Sequence, residues 1–199
     1  MTRGISAILL AAGQSRRMGR PKLILPWGDT IVLGQVVATF AAAGIEDLLV
    51  VTGAARDQIE EAVLKLSRKY PVRAIYNPEH ETGGMLSSIQ TGLAALGPEV
   101  SAALIGLGDQ PQVQIETVRR ICSTFFQTEH PLVIPSFQGR RGHPWLAARS
   151  VWPEILALPA SHTPRQFLRA QAGQIEYVTA DESALQDLDT PEEYNRQRP

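Results

Sequence analysis

Short apolar runs alternate with longer stretches of helical period along most of this chain. Ile5 to Ala11 is apolar, short and followed by small residues and a glycine, the pattern of a buried strand. Leu33, Val36, Val37 and Phe40 then recur at helical spacing until Gly44 stops them. Asp47 to Gly53 reads as a second strand, and Ile59, Ala62, Val63 and Leu66 mark one face of a second helix. Val72 to Tyr76 reads as a third strand ending in Asn77-Pro78. Leu86, Ile89, Leu93 and Leu96 give a third helix, closed by Gly97-Pro98. A fourth strand spans Ala102 to Leu107. The fourth helix is amphipathic through Ile115, Val118, Ile121, Cys122, Phe125 and Phe126.

Beyond Pro131 the pattern loosens. Leu132 to Pro135 reads as a strand, and Gln138 to Gly142 as a turn or hairpin tip. Trp145 onward is expected to include a short helix around Val151–Leu156. Another helix is expected over Arg165–Ala172 and a strand over Ile175–Val178. Strands alternating with helices indicate βαβ units. The expected architecture is α/β: a Rossmann-like three-layer α/β/α sandwich on a mainly parallel sheet. One domain is expected over residues 1–199. In it, residues 1–130 carry the regular alternation and residues 131–199 the looser part.

In such sheets ligands bind beyond the carboxyl ends of the strands. The polar segments fall there: Ala12–Lys22, Asn77–Gly84 and Gly108–Pro111. Composition narrows the ligand. The 199 residues carry a net charge of −1, so no global basic field favours nucleic acid. No apolar run reaches the roughly 18 residues a membrane helix needs. Met1-Thr2-Arg3-Gly4 leads straight into a strand pattern without a signal-peptide core. The one cysteine excludes an internal disulfide, and the cytoplasm is the expected compartment. The histidine spacing shows no zinc site. Cys122 falls on an apolar helix face, as a core residue does.

The most distinctive stretch is Leu9 to Lys22. Ala11-Ala12-Gly13 lets a backbone approach a ligand closely, and Arg16, Arg17, Arg20 and Lys22 follow. Backbone N–H groups with cations behind them cradle phosphate. The spacing fits neither a Walker loop nor a dinucleotide fingerprint. Pro21 turns Arg20 away from helix, so an extended loop that wraps its ligand is expected. Asp109 follows the fourth strand at the cleft. As a hard carboxylate it suits Mg²⁺; as a good N-cap it equally suits the start of the next helix.

The order L-A-A-G-x-S-x-R-M-G-x-P-K over Leu10–Lys22 closely resembles the signature of the MobA-like NTP transferase family. Within it, the chain looks most like the molybdenum cofactor cytidylyltransferases. Four further segments support the resemblance: Gly108-Asp109-Gln110-Pro111, Gly83 to Ile89, Gly142-His143-Pro144, and Asp187 to Tyr194. Leu86 stands where the family usually has a small residue, and Glu193 where it often has Asp.

The resemblance implies a nucleotidyltransferase. An acceptor phosphate attacks the α-phosphate of CTP or another NTP, and pyrophosphate leaves. It assigns catalysis to Lys22, Arg17 and Asp109. It assigns Mg²⁺ to Asp109 and Asp189, although Asp189 also sits where a helix start needs an acid. Nucleotide binding falls to Ala11, Ala12, Gly13, Ser15, Asn77, Gly84, Ser87 and Ser88, the two serines being equally suited to cap a helix. His143 is placed on the acceptor side, or is a turn histidine. The implied acceptor is a phosphate-bearing molybdopterin-type molecule, with a molybdoenzyme-maturation protein as partner. Open alternatives are guanylyl transfer in the same pathway, a sugar- or polyol-phosphate nucleotidyltransferase, and a nucleotide-binding regulator without catalysis.

Overall fold

A computed structural model describes residues 4–128 and 130–199. The direct lead of Met1-Thr2-Arg3 into the first strand lies outside the described residues. The strands are β1 (Ile5–Ala11), β2 (Pro26–Trp27), β3 (Thr30–Ile31), β4 (Leu48–Thr52) and β5 (Val72–Tyr76). They continue with β6 (Ala102–Leu107), β7 (Leu132–Phe137), β8 (Arg140–Arg141), β9 (Trp145–Ala148) and β10 (Ile175–Thr179). The helices are α1 (Val32–Ala42), α2 (Arg56–Leu66), α3 (Gly84–Ala94) and α4 (Ile115–Gln127). After them come α5 (Trp152–Ala157), α6 (Pro164–Ala170) and α7 (Pro191–Gln197).

The main sheet runs in the order β10-β7-β9-β6-β1-β4-β5, with β8 paired to β7. Pairs β1–β4, β1–β6, β4–β5 and β7–β10 are parallel. Strand β9 runs antiparallel between β6 and β7, and the short β8 is antiparallel to β7 as well. The sequence pattern did not predict β9. A four-residue apolar run cannot be told from helix by periodicity, and Trp145, Leu146, Ala147 and Ala148 are all buried in the structure. The short antiparallel pair β2–β3 was not predicted either.

The two faces of the sheet carry separate cores. On one face Ala7, Leu9, Leu48, Val50 and Leu104 pack with side chains of α1, α2 and α4. On the other, Ile8, Leu49, Val51 and Ile105 pack with α3, α5 and α6. This alternation is the two-residue period of a strand, and it produces the three-layer arrangement. Phe126 corrects the expected α4 stripe: it is 48% exposed, whereas Val118, Ile121 and Cys122 are buried. Burial also pushes the Cys122 thiol up to about 11, as befits a core residue.

All parallel strands from β5 to β6 point their carboxyl ends toward one rim. The segments leaving that rim build the site. Ile8 anchors the sheet beneath it, fully buried against α3. Ile8→Ala is expected to cost about 2–5 kcal/mol. Leu64→Ala, at a side chain 67% exposed on α2, should stay within about 0.5 kcal/mol of the parent. Urea midpoints at unchanged slope measure both, and equal shifts would contradict this core assignment.

Candidate active site

The chain leaves β1 through Ala11, Ala12 and Gly13. A Cβ added at Gly53 would come within 2.6 Å of the Ala12 carbonyl oxygen. That glycine therefore lets the end of β4 press against the loop, and Ala54 N–H donates to Ala12 O at 3.3 Å. The loop is not extended as the sequence suggested. It folds into two 3-10 turns, Arg16–Met18 and Lys22–Ile24. The physical reason is the spacing of its apolar residues. Met18, Leu23 and Leu25 are buried and draw the polar positions between them into turns. Ser15 adopts a left-handed conformation at φ 48°, and its Oγ accepts from Lys22 N–H at 3.3 Å.

The turn beginning at Lys22 carries that side chain into the cleft. Its ammonium forms an ion pair with Asp109 and a second, at 2.9 Å, with Asp189 Oδ1. Arg17 Nη2 holds the other Asp189 oxygen at 2.6 Å. The Lys22 and Asp109 side chains are only 13% and 16% exposed. Burial on its own would lower the Lys22 pKa; Asp109 and then Asp189 outweigh it, so the ammonium is held above its ordinary value. Burial works to raise Asp189, but hydrogen bonds and charge from Lys22 and Arg17 leave it lowered. Nearby Asp187 is raised, first by burial and then by the charges of Asp189 and Asp109.

Two packing arrangements deliver the carboxylates. Asp109 lies two residues past the end of β6, and its carbonyl accepts from Leu188 N–H at 3.2 Å. The helix after it starts only at Ile115, with Gln114 as N-cap, so Asp109 does not cap it. Asp189 precedes α7, whose start is carried by neighbours instead. Thr190 Oγ1 accepts from Glu193 N–H at 3.2 Å, and Glu193 Oε2 accepts from the N–H groups of Thr190 and Asp189. This capping box fixes the backbone of Asp189 and leaves its side chain to Lys22 and Arg17. Tyr194 Oη then donates to Pro26 O at 2.5 Å and ties α7 to β2.

The third wall comes from the loop between β5 and α3. Asn77 is fully buried there and does not line the cleft. Its Nδ2 donates to Ser87 and Ser88 Oγ at 2.9 and 3.0 Å; its Oδ1 accepts from Glu79 N–H and Thr91 Oγ1. Asn77 and Ser87 are thus a knot that holds the loop. Neither serine caps α3, whose N-cap is Gly83. Gly84, at φ 58°, and Ser88 reach the cavity wall.

These parts enclose a cavity of about 440 Å³. Ala11, Ala12, Gly13, Ser15, Arg17 and Lys22 line it, with Asp109 and Asp189 opposite. Seven wall residues had no role assigned from sequence: Leu10, Leu23, His80, Met85, Leu107, Asp187, and Arg16, which the sequence marks only as one of the loop cations. Asp187 had a signal. It lies two residues from Asp189 across the fully buried Leu188, so both carboxylates turn away from the core. His80 had none; its Nδ1 reaches Asn77 O at 3.1 Å through a loop turn. Among the described residues, no group of three or more His, Cys, Asp or Glu is placed to hold a metal ion.

A second cavity of about 880 Å³ adjoins the first at Gly84 and Met85. His143 lines it, on a segment whose backbone N–H donates to Ala184 O at 2.9 Å. Burial pushes the imidazole down to about 4, which keeps it neutral near pH 7. His143 does not reach the Lys22 cluster.

Comparison with known proteins accords with this geometry. The model of the MobA-like NTP transferase domain matches residues 7–175. The chain is 28% identical over 205 residues to the nicotine blue oxidoreductase of Paenarthrobacter nicotinovorans, covering 96% of this chain and 95% of that one. It is 27% identical over 191 residues to the molybdenum cofactor cytidylyltransferase of Escherichia coli, covering 96% and 93%. Its structure resembles that of Rv0371c from Mycobacterium tuberculosis, with a TM-score of 0.82, 27% identity and 96% of each chain covered. A second structure of that protein is a complex with manganese (TM-score 0.75, 26% identity, 98% of each chain). With the family model spanning β1 to the start of β10, and the loop and carboxylates converging at the sheet rim, the chain belongs to the MobA-like NTP transferase family and is a nucleotidyltransferase.

Proposed function

We propose that this nucleotidyltransferase transfers CMP from CTP to a phosphate-bearing, molybdopterin-type acceptor. A phosphate oxygen of the acceptor attacks the α-phosphorus, the bond from that phosphorus to the bridging β-oxygen breaks, and pyrophosphate leaves. The observation that carries this reading is the Lys22 ammonium shared by Asp109 and Asp189 at the mouth of β1 and β6. In this reading residues 1–130 bind the nucleotide and residues 131–199 serve the acceptor, with His143 on its wall. A maturation partner for molybdoenzymes would then take the product.

The Ala11–Gly13 backbone meets the base and phosphates, supported by Ser15, Gly84 and Ser88. Asn77 and Ser87 act through the loop they hold. Lys22 and Arg17 leave the carboxylates to balance charge on the α-phosphate and on the departing pyrophosphate. Asp109 and Asp189 then hold Mg²⁺. The donor set fits this ion, which takes one or two carboxylates with phosphate oxygens and water rather than an all-protein cage. When bound, the ion neutralises phosphate charge and orients the leaving group. The protein otherwise positions the reactants.

Lys22→Ala is expected to fold and to lose about 10²–10³ in rate, the usual cost of one preorganised charge. Asp109→Asn should abolish metal-dependent turnover with little change in melting temperature. Pyrophosphate release from an NTP with Mg²⁺ and acceptor measures both. Near-normal turnover by either folded variant would remove this cluster from the mechanism.

The choice of CTP rests on Ala12, whose side chain lies on the cavity wall beside Gly53. One methyl in a tight pocket discriminates by about 1–3 kcal/mol. Wild type is expected to bind CTP better than GTP or ATP in competition with Mg²⁺ present, and Ala12→Gly to narrow the gap. A wild-type preference for GTP would defeat cytidylyl transfer and leave nucleotidyl transfer standing.

A further inference from the structure

The second cavity holds a charge that transfer of a nucleotide does not itself require. Arg140, Arg141, Arg165 and Arg169 line it, and no Asp or Glu does. The chain as a whole carries a net charge of −1, so the excess is local. It is not neutralised from behind. Among the described residues, the side chains of Arg140, Arg165 and Arg169 have no hydrogen-bond or ion-pair partner. Arg141 is instead held in place. Its Nε donates to Tyr177 Oη at 2.8 Å and its Nη1 to Leu168 O at 3.1 Å, with the guanidinium 5.6 Å from the Tyr177 ring centroid. No hydrogen bond among the described residues engages its Nη2.

This arrangement sets like charges side by side around one cavity. Arg165 and Arg169 are four residues apart on α6, where like charges repel across one helix face. Arg140 and Arg141 come from the β8 hairpin on another wall of the same cavity. Guanidinium forks from two elements suit a carboxylate, phosphate or other oxyanion bound in a concave site. A cavity of about 880 Å³ has the size of a small-molecule site. It meets the nucleotide cavity only at Gly84 and Met85. An acceptor whose reacting phosphate enters the first cavity therefore has to cross that wall.

We infer that the acceptor carries a second anionic group, remote from the phosphate that attacks, and that Arg140, Arg141, Arg165 and Arg169 bind it. This rests on the nucleotidyl-transfer reading for the attacking end. The arginines then select acceptors by the charge of their far end, while Lys22 and the carboxylates act on the nucleotide.

The test compares pentane-1,5-diyl bisphosphate with pentyl monophosphate by calorimetry, on wild type and on the Arg165→Ala/Arg169→Ala double variant. Both arginines are exposed and unpartnered, so the variant is expected to melt with wild type and to bind Mg²⁺–CTP equally well. Wild type should prefer the bisphosphate by roughly tenfold or more, as charge-assisted hydrogen bonds contribute. In the variant the preference should fall close to one. Equal affinities in wild type, or a preference kept by the variant, would overturn the inference. If wild type fails to bind Mg²⁺–CTP yet keeps an arginine-dependent preference, the anionic pocket is supported and the CTP reading falls alone.

Discussion

The Lys22 ammonium lies between two carboxylates that come from distant parts of the chain, and the site depends on that meeting. Asp109 arrives on the carboxyl end of β6; Asp189 arrives on a segment docked by Leu188, the Thr190–Glu193 capping box and Tyr194. Bringing like charges together at partial burial is costly unless a cation sits between them. The shifts show how the balance falls. Lys22 is raised, so its contribution is complete below its ordinary 10.5 and is lost as pH rises through the folded value. Asp189 is lowered, so its contribution is complete above its ordinary 3.8 and is lost as pH falls through the folded value. The cluster is therefore intact across the neutral range.

The same meeting explains how one sheet supports two cavities. The loop after β1 and the carboxylates close around the first, while the β8 hairpin and α6 build the second. Gly84 and Met85 stand on the wall they share. The Asn77–Ser87–Ser88 knot fixes that wall, because every polar atom of the Asn77 side chain is committed within it. In the proposed reaction this buried knot positions the boundary that the acceptor crosses, although Asn77 touches neither ligand.

Much of this was legible in the sequence because it is local. β1, β5 and β6 have the bounds their apolar runs gave, and the loop carrying Lys22 after β1 and Asp109 just past β6 leave the strand ends, where such sheets bind ligands. What was not legible depends on tertiary contact. Strand β9 is stabilised by β6 and β7 on either side, which four apolar residues do not announce. The loop turns because Met18 and Leu23 find the core. Asn77 looked like a ligand-facing residue after a strand, and only its four partners show it to be structural. The arginines of the second cavity are scattered over thirty positions, so their convergence has no sequence signature.

The central claim is that Asp109 and Asp189, released by Lys22, form the cation site. Mn²⁺ binding followed by electron paramagnetic resonance tests it without turnover. The account predicts that Asp189→Asn weakens Mn²⁺ binding in the presence of CTP by roughly tenfold or more, because one of two hard carboxylates is lost. It also predicts that Lys22→Ala, which frees Asp109 and one oxygen of Asp189 while Arg17 keeps the other, binds Mn²⁺ more tightly than wild type when no nucleotide is present. Mn²⁺ affinity unchanged in both variants would contradict the account.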